Sequence, residues 1–375
     1  MPISSARQLF DIPRDIAYFN CAYMSPLLQS AREAGERAVA RKSRPWEIAP
    51  AHFFEAVERP RARVAGLIGA PADTVAVVPA ASYGMAVAAR NLPVHAGQRI
   101  LLLDEEFPST IYAWQERARI AGAEAVMLPR PEDDDWTRVV LAAIDERTAV
   151  AALPHCHWTD GALLDLARIR EALSAVGATL ALDATQSLGA LPLDLERVAP
   201  DFMVAACYKW LLGPYSTGFL YVALRWHEGR PLEHSWMARA GSEDFSSLVQ
   251  YQPDFRAGAR RYDVGEPSNF ALSPIVDEAL RQIQEWTIPA IQSALADYCA
   301  AIVRAVEPLG YTAVQAGRRA GHYLGLRRTG GLPPGLAARL AEHKVFASFR
   351  GSSLRVTPHL YNDAADFERL VAALG

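Results

Sequence analysis

The run Leu180-Ala181-Leu182-Asp183-Ala184-Thr185-Gln186-Ser187-Leu188-Gly189, followed by Asp201 to Lys209 and by Gly213-Pro214-Tyr215-Ser216-Thr217-Gly218-Phe219-Leu220-Tyr221-Val222, decides the fold. Thr179 to Leu182 is a short apolar run of strand type. It ends on a carboxylate, Asp183, where a buried strand would open at its C-terminal end. A second apolar run, Phe202 to Ala206, leads into Cys207-Tyr208-Lys209. A charged lysine is costly inside a dry sheet. Desolvated, the same amine is a good nucleophile towards a carbonyl carbon. Taken singly, an Asp or a Lys there reads as a solvated strand end. Together at the mouths of two strands they meet the needs of pyridoxal phosphate: the lysine binds its aldehyde, and the aspartate pairs with the pyridinium nitrogen and keeps the ring an electron sink.

Outward from this stretch the pattern alternates. Strand-like runs are Val75–Val78, Ile100–Leu103, Ala125–Leu128, Val150–Leu153, Thr179–Leu182, Phe202–Ala206 and Phe219–Val222. Helix-like runs at Ser82–Arg90, Ser109–Ala121, Arg138–Asp145 and Leu166–Val176 separate most of them. Such alternation predicts an α/β fold, a mostly parallel seven-stranded sheet with helices on both faces. Ligands then sit beyond the carboxyl ends of the strands. Upstream, Leu27–Arg41 and His52–Leu67 read as helices, the second disturbed at Pro60. Pro231–Asp254 reads as a loop over the site, and Pro274–Leu309 as helix split at Pro289. We expect an N-terminal arm over 1–25, a large domain over 26–255 and a smaller α+β domain over 256–375.

The chain has 375 residues, 51% hydrophobic and 21% charged, ample for a large core. A net charge of −4 gives no invitation to nucleic acid or an anionic membrane, and no apolar run is long enough to span a bilayer. Four cysteines without paired spacing, and no secretory signal pattern, suit a reduced, cytoplasmic setting. No G-x-G-x-x-G occurs, which disfavours a nicotinamide dehydrogenase. His155-Cys156-His157 suggests metal at first sight, but further ligands at matching spacing are missing, so no metal is expected.

The string from Asp183 to Val222 resembles the class V aminotransferase family of fold-type I pyridoxal-phosphate enzymes: cysteine desulfurases, selenocysteine lyases, kynureninases and isopenicillin N epimerases. The resemblance covers nearly the whole chain and implies a homodimer acting on an amino acid. It places the phosphate-binding turn at Ala81-Ser82, after a strand and opening a helix, where Ser82 also reads as a plain N-cap. It places the residue stacking on the ring at Phe107, which otherwise reads as core. Glu106-Phe107-Pro108-Ser109 is similar to the kynureninase Asn-Phe-Pro-Thr rather than to the desulfurase type. The resemblance also places Trp158 and Thr159 in the turn that contacts the ring hydroxyl or the substrate. Gln186 is implied as donor to the ring's phenolic oxygen, and Tyr208 as a phosphate contact or proton relay. The passage Cys21 to Pro26 is implied to lie near the site, and reads equally as a connection.

At Arg260-Arg261-Tyr262-Asp263-Val264-Gly265-Glu266 the family carries a Thr that reaches the neighbouring subunit's phosphate, and here Glu266 stands in its place. A carboxylate beside a phosphate is repulsive. Arg355, in Leu354-Arg355-Val356-Thr357-Pro358, is implied to grip the substrate carboxylate bidentately, with Arg350 as second candidate; either also reads as a surface arginine. No cysteine follows Cys299, which disfavours a desulfurase persulfide route. The leading expectation is loss of a β-substituent by C–S or C–C lyase chemistry. The alternatives are transamination or epimerisation on the same scaffold and, from another class, a cofactor-free binding or regulatory protein that retains the fold.

Overall fold

A computed structural model describes residues 5–375. The first four residues of the expected arm lie outside the described range. The chain opens with β1 (Ala17–Tyr18), α1 (Gln29–Lys42) and α2 (Ala51–Ile68). Then come β2 (Val75–Val78), α3 (Ala81–Asn91), β3 (Arg99–Leu103), α4 (Pro108–Ala121), β4 (Glu124–Leu128), α5 (Trp136–Ala143), β5 (Thr148–Pro154) and α6 (Leu166–Ala175). They are followed by β6 (Thr179–Asp183), α7 (Leu195–Val198), β7 (Phe202–Ala206) and β8 (Gly218–Val222). Each of the seven expected strands of the large sheet is present within two residues of its expected ends. Sheet order is β2-β8-β7-β6-β5-β3-β4, with β8 antiparallel to both its neighbours and the other contacts parallel. The Cys207–Thr217 connection is too short for a helical crossover, so β8 returns beside β7 antiparallel.

The sheet is buried on both faces. Ile100 and Leu102 pack with Trp114 and Val204 on one side; Leu101 and Leu103 pack with Leu182 and Ile169 on the other. This explains the continuous rather than alternating apolar runs. Pro60 does not break α2, which runs through it as one helix with Pro60 buried.

After the large sheet, α8 (Ser273–Trp286) packs on α1 and α2, and α9 (Ile288–Val306) follows a break at Thr287, whose φ is 66°. Pro289 sits in the first turn of α9, where its missing N–H costs nothing. The last third holds β9 (Tyr311–Thr312), β10 (Leu324–Arg328), α10 (Leu336–Glu342), β11 (Val345–Phe346), β12 (Ser348–Arg350), β13 (Ser353–Val356) and α11 (Ala364–Leu374). An antiparallel sheet in the order β12-β13-β10-β9 has its own apolar core with α9, α10 and α11. The N-terminal β1 pairs in parallel with β11. No helix among the described residues is long and apolar enough to cross a membrane.

One glycine shapes the site from below. Gly189, at φ 104°, would place a Cβ 2.2 Å from the carbonyl oxygen of Trp210, one residue after Lys209. Gly189→Ala is expected to cost at least about 2 kcal/mol through strain and displaced backbone. A lower urea midpoint together with weaker cofactor retention is the measurement; an unchanged midpoint contradicts the packing described.

Candidate active site

Asp183 and Lys209 meet at the carboxyl edge because they end or follow adjacent central strands. Asp183 closes β6, in register with Pro154 of β5 and Val204 of β7. Its Oδ1 accepts from the Thr185 N–H at 2.9 Å. Lys209 lies in a tight turn after β7, closed by Gly213 N–H donating to the Cys207 carbonyl at 2.9 Å, with Leu212 held at φ 53°. Such a conformation is strained for leucine and persists only when its surroundings enforce it. Ser25 N–H donates to the Tyr208 carbonyl at 2.9 Å, and Cys21 N–H to that of Thr357 at 3.1 Å. The N-terminal passage is therefore a strap between the lysine turn and the small sheet.

Lys209 and Asp183 line one cleft with Phe107, Trp158, Gln186, Tyr208 and Ala81. Lys209 is 6% exposed, and among the described residues its Nζ makes no hydrogen bond or ion pair. It sits 5.4 Å from the centre of the Phe107 ring and 5.3 Å from that of Tyr208. Burial lowers its pKa to about 8; Asp183 pulls the other way and Arg355 adds to the lowering. Burial likewise pushes the Tyr208 phenol up to about 12. Phe107 meets Trp158 edge to face at 5.5 Å, and the Trp158 indole N–H donates to the Glu105 carbonyl at 2.6 Å.

The remaining expected residues divide. Gln186 is in the cleft, but its Nε2 donates to the Ala22 carbonyl at 3.2 Å and its Oε1 accepts from Trp210 at 3.1 Å, so one N–H is left for a ligand. Ser82 is exposed and is not the N-cap of α3; that position is Ala80, which offers no side-chain cap. Thr159 is turned away from the cleft lining: Arg130 donates to its hydroxyl at 2.8 Å, and His157 Nδ1 holds it at 2.8 Å. Arg355 is 1% exposed in β13 between Gly325 and Ser348. It donates to the Trp158 carbonyl at 3.2 Å, has no carboxylate partner among the described residues, and leaves its Nε unsatisfied. The guanidinium carbons of Arg350 and Arg355 lie 5.6 and 6.0 Å from the Trp158 ring.

One expectation is corrected. Pro231–Asp254 contributes nothing to this cleft; Trp236 and Phe245 of that stretch pack on Phe53 instead. Glu266 lines a separate cavity behind Val77 and Pro79, beside Ser216 and Asn269. Four lining residues were not among those expected from the sequence: Pro154, Cys156, Thr185 and Glu106, the last 8% exposed, whose carboxyl burial pushes up to about 8. For Glu106 its place two residues from Asp104, beyond a buried strand, was the available signal.

The chain's own groups fit pyridoxal phosphate. The eleven-residue α3 begins with backbone N–H groups that no side chain caps, beside Ala81 in the cleft, where a phosphate is favoured. Lys209 offers an unpartnered amine of lowered pKa, and Arg355 a buried guanidinium without a counter-ion.

Comparison with known proteins agrees. A kynureninase of Deinococcus radiodurans is 30% identical over 326 residues, covering 82% of this chain and 75% of its own. An uncharacterized aminotransferase, YcbU, of Bacillus subtilis is 26% identical over 85% of this chain and 83% of its own. The fold is similar to that of the cystine C–S lyase C-DES in complex with its reaction product cysteine persulfide, with a TM-score of 0.86 at 21% identity over 96% of this chain and 97% of that one. It is also similar to the apo cysteine desulfurase of Thermococcus onnurineus, with a TM-score of 0.83 at 17% identity over 98% and 97%. Residues 26–322 match the aminotransferase class-V family, and the chain belongs to that family of pyridoxal-phosphate-dependent enzymes.

Proposed function

We propose that this enzyme is an amino-acid lyase that expels a β-substituent by C–S or C–C cleavage without a persulfide-forming cysteine. The observation that carries the reading is the cleft itself: a buried, unpartnered Lys209 amine beside Asp183, with the counter-ion-free Arg355 against Trp158. Bound pyridoxal phosphate supplies an electron sink for charge developing at the substrate Cα. In this reading Asp183 would pair with the pyridine nitrogen and Phe107 would pack on the ring. Ala81 and Ser82 would present backbone N–H groups to the phosphate, with Tyr208 near it. Gln186 and Trp158 would line the ring's polar edge. Arg355, seconded by Arg350, fixes the substrate carboxylate and with it the bond that breaks. Lys209, its amine set free by a substrate amine, would take the Cα proton and deliver a proton to the departing β-substituent, its lowered pKa suiting both roles near neutrality. A homodimer completes the site in this reading.

The thiols support the absence of a persulfide step. All four are free and buried. Burial raises Cys21 and Cys156 far above the ordinary thiol range and Cys207 and Cys299 to about 12, so none is the thiolate that such chemistry needs. Free cysteines also suit a reducing, cytoplasmic setting.

The test is product analysis on a panel of amino acids with good and poor β-leaving groups. Pyruvate and ammonia, or alanine with a released acyl fragment, are the expected products. A keto acid formed only with stoichiometric transfer of the amino group to an acceptor would overturn the lyase reading in favour of transamination; racemised substrate would favour epimerisation.

A further inference from the structure

Glu106 is the one buried carboxyl of the cleft that the mechanism above does not use. Its Oε1 accepts from the Phe107 N–H at 2.5 Å, while Oε2 is shut off from solvent and has no hydrogen-bond partner. The charged groups that face it are Asp183, Lys209 and Arg130. Arg130 is already committed to Glu105 at 2.8 Å and to Asp160 at 2.7 Å. Lys209 makes no ion pair among the described residues. An ionised Glu106 would therefore stand as a second carboxylate near Asp183, with one oxygen stripped of both water and donors, a costly arrangement. A neutral carboxylic acid keeps the acceptor that Phe107 uses and turns the other oxygen into a donor.

We propose that Glu106 works in the cleft as an uncharged acid whose O–H, once the side chain turns from its closed position towards the cleft, donates a hydrogen bond to the bound cofactor. This rests on the cleft being the cofactor site. The raised pKa of about 8, caused first by burial and then by Asp183, agrees with it. Above that pH the donor is lost and a negative charge faces a cofactor that is itself anionic.

The test measures the dissociation constant of pyridoxal phosphate, by visible absorbance, for the wild type, Glu106→Gln and Glu106→Leu at pH 7 and pH 9. Glutamine keeps an acceptor and a donor and cannot ionise. It should bind within about threefold of wild type at pH 7, whereas leucine should lose about tenfold or more. Between pH 7 and pH 9 the wild type should weaken relative to Glu106→Gln by about tenfold. A glutamine variant about tenfold weaker than wild type at pH 7, or a constant ratio across the pH range, would overturn the proposal. A second readout needs no cofactor. The infrared C=O band of a protonated carboxyl should be present in the apo wild type at pH 7 and absent in Glu106→Gln. Its absence from the wild type also overturns the proposal, whereas a wild type that shows the band but binds no cofactor points to failure of the cofactor-site reading instead.

Discussion

Lys209→Ala should abolish the visible band that borohydride is expected to bleach in the wild type and reduce turnover by at least about 10³-fold, the scale of a lost general acid–base group. The pH dependence follows from burial. With a pKa of about 8, roughly one Lys209 amine in ten is neutral at pH 7. Reconstitution of the apo protein should quicken about tenfold per pH unit below 8 and level off above it. The same shift is a stability statement. Lys209 titrates lower in the folded chain than its ordinary 10.5, so the folded state disfavours the charged form. The penalty is full below pH 8, fades from 8 to 10.5 and is absent above. A shift of that size corresponds to about 3 kcal/mol. Apo Lys209→Met should therefore be more stable than apo wild type at pH 7, with the gap closing towards pH 10.5. Urea midpoints at several pH values measure it, and a gap independent of pH would contradict a desolvated Lys209.

What made the site legible was its position on consecutive buried strands. Asp183 and Lys209 are distant in sequence but follow β6 and β7, which are neighbours in the sheet, so local apolar runs brought both to one edge. Phe107 and Trp158 follow β3 and β5 for the same reason. The residues that resisted reading are those whose surroundings arrive from far along the chain. Thr159 looked available until Arg130, Asp160 and Arg327 closed an ionic network around it. Glu106 entered the sequence reading only as part of the motif around Phe107, and its place beside Asp183 and Lys209 shows in the cleft alone. Arg355 owes its burial to Gly325 beside it in the small sheet: a Cβ there would lie 2.5 Å from that of Asp160, so only glycine lets the turn after β5 approach. Pro60 was expected to disturb a helix that tertiary packing holds continuous.

The stretch from Arg260 to Glu266 is where structure adds most to the sequence, and it yields the largest stability effect. β2 is an edge strand, paired to β8 on one side. Its other side is covered by this stretch: Val264 N–H donates to the Val77 carbonyl at 2.9 Å, and Asp263 Oδ1 accepts the Val77 N–H at 2.7 Å. Asp263 in turn receives both ends of the fully buried Arg61 guanidinium, at 3.0 and 2.7 Å, and Arg61 also donates to the Val75 carbonyl at 2.5 Å. One ion pair thus ties α2, the free edge of β2 and the covering segment together, and blocks the edge from pairing with another chain. Asp263→Ala removes the nearer of two counter-charges from a guanidinium that has no access to water, leaving it only Glu58 at 3.3 Å from Nε, and leaves the Val77 N–H without its acceptor. The expected loss is about 3–5 kcal/mol, a large part of a typical domain's margin. Asp263→Asn keeps one acceptor and should lose less. Replacing both partners, Arg61→Met with Asp263→Leu, should recover much of the loss, because no buried charge is then left unpaired. Because β2 runs directly into Pro79 and the start of α3, the single alanine variant should also weaken cofactor binding, although Asp263 does not line the cleft. Urea midpoints of the two single variants and the double variant separate these terms. A double variant no more stable than Asp263→Ala would mean that the carboxylate acts through the Val77 N–H and the strand edge, and not through the charge of Arg61.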